Sequence, residues 1–172
     1  MNKVRMIGAA LALAGLAAGA AAAEGDTVFL RTAMKDQVNP AIFGVWDITN
    51  NAMGDDGGID PKLMTDDKWA IVEARARDLA AASHTLAHAG TITVNAPGDD
   101  KVDAGAVSMA AIQGYVDANP DAFRAFAMAQ AEHAQKLAEA AKAHDAATAG
   151  ELVAGLDGVC EACHARFWYP EQ

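Results

Sequence analysis

The sequence predicts an all-α protein, an antiparallel four-helix bundle, on two observations. Alanine is abundant and runs of β-branched residues are scarce, which favours helix. Four long segments repeat apolar residues at steps of three or four, and none alternates apolar with polar for long.

The first segment covers residues 27–53, with Leu30, Met34, Val38, Ile42, Val45 and Trp46 at helical steps. Pro40 interrupts it. Either one helix kinks there or a second begins with Asn39 as N-cap and Pro40 at its first position; the preferred reading is one kinked helix. Residues 54–61, GDDGGIDP, form a loop by composition. The second segment starts at Thr65, an N-cap, with Asp66 and Asp67 near the positive end of the helix dipole. Trp69, Val72, Ala76, Leu79, Ser83 and Leu86 follow as its buried stripe, and it ends near Ala89 before Gly90. Residues 91–105 read as a long loop with a little extended structure, and residues 106–116 as a short helix. In the third segment Asn119 is the N-cap and Pro120 the first position. Phe123, Ala127, Gln130, Ala134, Leu137 and Ala141 line one side of it to about His144. The fourth runs over residues 148–168, with Leu152, Leu156, Val159, Cys163 and Phe167 on one stripe, and stops at Pro170.

Residues 1–23 read as a secretory signal peptide. Lys3 and Arg5 make the positive start, residues 6–20 the apolar run, and Ala21, Ala22 and Ala23 the cleavage site before Glu24. The expected mature chain, residues 24–172, is one domain in the periplasm with no membrane insertion after cleavage. Loss of Lys3 and Arg5 lowers the basic count from 13 to 11 against 23 acidic residues, a net charge of −12. Such a chain repels nucleic acid and anionic lipid and favours a partner protein with a basic patch.

The two cysteines are Cys160 and Cys163, in the stretch CEACH, with His164 directly after. On a helix these three positions project to one side. Two thiols at this spacing can add to the two vinyl groups on one edge of a haem, while the imidazole reaches the iron. Bacterial haem attachment of this kind happens outside the cytoplasm, where the leader directs the chain. Three other readings stand beside it. Two cysteines in an oxidising compartment can form a disulfide. A thioredoxin-like redox pair opens a helix beside a strand, and no βαβ pattern is present. Zinc needs four ligands, and only three cluster here. The pattern therefore implies one covalently attached haem c. Its late position leaves no methionine after His164, so a protein sixth ligand must come from upstream.

With CEACHARFW on the last helix, LRTAMK near the mature N-terminus and the helix spacing between them, the chain resembles the class II cytochromes c, a family that includes cytochrome c′ and its low-spin relatives. The resemblance implies a four-helix bundle with C-terminal haem attachment, Cys160 and Cys163 as covalent anchors and His164 as proximal ligand. In low-spin members a first-helix methionine binds the iron; the matching position here is Met34. In cytochrome c′ that position is apolar or aromatic and the iron is five-coordinate. The family often carries an Arg four residues before this position, whereas Arg31 precedes Met34 by three. Cytochrome c′ also tends to carry a base four residues after the histidine, where this chain has Trp168. Members often pair as dimers, so the resemblance allows a homodimer.

The expected function is electron transfer through a His/Met haem, with no substrate transformed. The alternative is a five-coordinate, cytochrome c′-like protein that binds NO or CO. Ordinary core packing is the competing reading of Met34; Met128, Met53, Met64 and Met109 are weaker ligand candidates. His84 and His88 have metal-pair spacing, and either offers bis-histidine ligation, but exposed histidines are the plainer reading. His133 and His144 are expected on outer faces. Trp46, Trp69, Phe123, Phe126 and Phe167 are candidates for walls around a haem.

Overall fold

A computed structural model describes residues 26–169; the leader expected over residues 1–23 and the stop at Pro170 lie outside the described residues. The described chain is mostly helical. Its elements are β1 (Thr27–Phe29), α1 (Leu30–Ala33), a π-helical turn (Met34–Val38), α2 (Asn39–Asn50), a short 3₁₀ turn (Pro61–Leu63), α3 (Asp66–His88), β2 (Thr91–Thr93), α4 (Met109–Ala118), α5 (Pro120–Lys142) and α6 (Ala146–Phe167). Among the described residues no helix is long and apolar enough to cross a membrane.

The first segment is one helical run over residues 30–50, without a break at Pro40. Proline has no N–H to give to the Asp36 carbonyl, and its ring crowds that oxygen. The chain widens the preceding turn instead of breaking. The Asn39 N–H reaches back five residues to the Met34 carbonyl, and Asn39 itself has helical angles (φ −60°, ψ −48°), so it is not an N-cap. The three residues before the run are extended. Thr27, Val28 and Phe29 pair in parallel with Thr91, Ile92 and Thr93, which accounts for the extended stretch expected in the long loop.

α3 starts where its cap says: the Thr65 side chain accepts from the Lys68 N–H. Asn119 precedes α5 as expected, but its side chain makes no capping bond. α6 begins two residues earlier than expected, because the Asp145 carboxylate caps it by accepting from the Thr148 N–H. The Thr148 hydroxyl, and after it the Thr148 N–H, holds the Asp145 carboxyl below its ordinary pKa. α5 ends at Lys142, and His144 turns the chain with φ +53°.

α3 packs most extensively on α5, then α5 on α6 and α2 on α3. Alanines set this order. Ala76, Ala80 and Ala87 of α3 and Ala127, Ala131, Ala134, Ala138 and Ala141 of α5 are buried, and small side chains let helix axes approach closely. α6 meets α2 only sparsely. Along its expected stripe Leu156 and Phe167 are buried, while Leu152, Val159 and Cys163 are only half covered. The gap between the first helical run and the end of α6 is where the candidate site lies.

Leu137 is fully buried on α5. Leu137→Ala is expected to cost about 2–5 kcal/mol in urea unfolding, whereas the change at exposed Leu63 costs little. Equal midpoints for the two variants would contradict this core assignment.

Candidate functional site

A cavity of about 340 Å³ opens between the start of the first helical run and the C-terminal part of α6. Met34 and Leu30 come from the first run, and Cys163, His164, Phe167 and Trp168 from the last helix. Val94, Val102 and Val107 close it from the long loop, Met109 and Ile112 from α4, and Phe123 from α5. Its wall is therefore mainly apolar, with two thioethers, a thiol and an imidazole set into it and Arg31, Lys35, Asn39 and Asp103 as its polar part. The thioethers, thiol and imidazole are soft or borderline donors suited to iron in a macrocycle.

Local structure explains each placement. Met34 opens the π turn, and its carbonyl accepts the long bond that Pro40 makes necessary. Cys160, Cys163 and His164 sit on the last two turns of α6, at the steps that share a helix side. Phe167 anchors this end of α6, packing edge-on against Phe123 (5.4 Å between centroids) and Phe126 (6.0 Å). Trp168 stands edge-on to the His164 ring at 5.2 Å. Trp168, in the place where a base was expected by resemblance, thus flanks the imidazole.

The three motif residues are not equivalent. Cys163 and His164 line the cavity, but Cys160 lies outside its wall. The buried Gln130 side chain of α5 directs its amide N–H to the Cys160 sulfur at 3.7 Å. Both cysteines are free thiols. Burial pushes the Cys163 thiol up to about 11, with a smaller contribution from Cys160 beside it. Burial also raises Cys160, helped by Asp157 and opposed by the Gln130 bond. A reactive redox pair needs depressed thiol values, so these surroundings are the opposite of a thioredoxin-like site. Burial lowers His164, against the opposing charge of Glu161. Its imidazole is therefore neutral near pH 7, with a lone pair available to a metal. Among the described residues no three His, Cys, Asp or Glu side chains converge as a metal cage.

The thiol shifts set a pH dependence. Alkylation of haem-free chain by iodoacetamide at Cys163 is expected to keep rising up to about pH 11. A small-molecule thiol levels off near its ordinary value of about 8.5. A Cys163 profile that levels off at neutral pH would remove the burial argument.

Several expectations need correction. Trp69 stacks on His144 (5.6 Å) and Trp46 pairs with Phe43 (5.9 Å); neither lines the cavity, whereas Phe123 and Phe167 do. His84 and His88 are exposed, as the plainer reading has them; they stack at 4.0 Å on α3 and neither lines the cavity. His133 is not on an outer face. It is half-buried, with Nε2 2.7 Å from the Leu152 carbonyl of α6, a bond that requires the Nε2–H tautomer. Gly155 makes the room: a Cβ there would meet His133 Cε1 at 3.1 Å.

Met109, one of the weaker ligand candidates by sequence, stands on the cavity wall, 8% exposed. The signal for it was present: Ser108 caps α4 by accepting from the Ala111 N–H, and Met109, Ile112 and Val116 follow at steps of three and four. Met128 lines a separate groove with His84 between α3 and α5. Comparisons with protein-family models, curated proteins and solved structures found no match.

Proposed function

We propose that the chain is an exported c-type cytochrome of the class II kind, an antiparallel four-helix bundle that transfers single electrons. The observation that carries this is the shared cavity of Met34, Cys163 and His164, drawn from opposite ends of the sequence. In this reading Cys160 and Cys163 hold one haem c by thioethers, His164 is the proximal ligand and Met34 the distal one. Cys160 must turn from Gln130 toward the cavity to do so.

When bound, haem supplies a one-electron couple. The chain holds it, orients a neutral imidazole through the Trp168 and Tyr169 contacts and keeps water from it with the valine, leucine and phenylalanine walls. A Met/His pair and an apolar wall both favour a positive potential. The net charge of the mature chain favours a redox partner with a basic patch. Export through residues 1–23 to the periplasm, and a homodimer, belong to the same reading.

The second reading is a five-coordinate protein that binds NO or CO. Met34 is half-buried in a wall that also holds Leu30, Met109 and Ile112, as packing residues would be. The ferric and ferrous absorption spectra of protein made with haem-maturation machinery separate these. A low-spin ferric spectrum with the weak far-red Met–iron band supports electron transfer; a high-spin spectrum with ready CO binding supports the second. Absence of any Soret band would sink both.

A further inference from the structure

The centre of the long loop over the cavity is held by one side chain. At its start, the Arg31 N–H bonds the Val94 carbonyl (2.8 Å), and the Val94 N–H bonds the Gln113 side chain (2.7 Å). At its end Ser108 caps α4. In between, Gly98 (φ +82°) and Gly105 (φ +86°) supply two left-handed turns, which only glycine adopts readily. The backbone bonds there are local, Asp99 to Ala96 and Ala106 to Asp103. Arg31 spans from α1 to the middle of the loop. Its Nη1 donates to the carbonyls of Lys101 (2.8 Å) and Asp99 (3.1 Å) and lies 3.3 Å from the Asp99 carboxylate. Among the described residues these are the hydrogen bonds that tie the loop centre to the helices.

Arg31 also lines the cavity, as do Val102, Asp103 and Val107 of the same loop. Val102 is 39% exposed, so the loop lies over the cavity as a cover and is not packed into the core.

We propose that Arg31 is a latch that holds loop residues 96–107 shut over the cavity and so sets how fast an external small molecule reaches it. Two of its three acceptors are backbone carbonyls, so no side-chain change in the loop removes them. The latch stands on the loop geometry alone; its effect on ligand access rests on the haem reading above.

Hydrogen exchange on haem-free, full-length chain tests the latch. In Arg31→Gln, amides of residues 96–107 should exchange about tenfold faster, the scale of one lost charge-assisted bond, while α3 amides stay unchanged. Asp99→Asn, which keeps both carbonyl bonds, should give a smaller effect. Unchanged loop exchange, or equal acceleration in α3, would overturn the latch. Haem-loaded protein with the sixth position opened tests access: imidazole should bind ferric Met34→Ala/Arg31→Gln about tenfold faster than ferric Met34→Ala. An unchanged rate beside faster loop exchange would overturn the gating role. A chain that shows the exchange result yet takes up no haem leaves the latch standing and removes the proposed function.

Discussion

A chain carrying both Cys160→Ser and Cys163→Ser, made with haem-maturation machinery, is expected to lose all covalent haem. The parent chain should keep its haem through denaturing electrophoresis and acidified organic solvent. A thioether survives both treatments, whereas a haem held by His164 and packing alone does not. The single variants should differ from the double. Each leaves one thioether and one unreacted vinyl, which moves the alkaline haemochrome band to the red. Cys160→Ser is the more informative, because Cys160 starts outside the cavity wall, facing Gln130, while Cys163 is already on it. If the parent chain emerges haem-free with Cys160 joined to Cys163 by a disulfide, the haem reading fails and the disulfide reading takes its place.

Met34→Ala has the second large expected effect: conversion of the ferric haem from low to high spin, with loss of the far-red band and new CO and NO binding. The potential should fall, since the thioether favours ferrous iron. Met109→Ala is the necessary companion, because it removes the other thioether on the same wall. The expected result is a low-spin spectrum unchanged by Met109→Ala and abolished by Met34→Ala. The reverse pattern would move the ligand from the first helical run to α4. No change in either variant would point to a ligand other than these two thioethers. His84 and His88, exposed on the outer side of α3, are not placed to supply it.

The helices were largely legible because their signals are local. The stripe from Trp69 to Leu86 and the Thr65 cap define α3 within a residue or two. Ser108 and Met109 define α4 two or three residues later than the expected start. Pro40 was legible only as a disturbance. Whether the chain kinks, restarts or widens depends on whether neighbours hold the run together; α3 packs against both the π turn and α2, and the run continues. Asn119 shows the limit of a cap signal. A suitable side chain stands at the right position, but its backbone (φ −146°, ψ 58°) is not that of an ordinary N-cap and no capping bond forms.

The candidate site divides in the same way. By itself the sequence determined the chemistry offered at the tail, two thiols and an imidazole on one side of a helix, because residues three and four apart share a face wherever the helix lies. It also placed all seven methionines before His164. Only the tertiary structure decided which upstream groups reach that face. It brought Met34 and Met109 to one cavity, excluded His84 and His88, turned His133 inward onto α6 and laid the 96–107 loop under Arg31. Those outcomes depend on how closely alanine faces let α3 and α5 approach and on how sparsely α6 meets α2. Helix packing distances of this kind are set by pairs of residues far apart in the chain, and no local spacing encodes them.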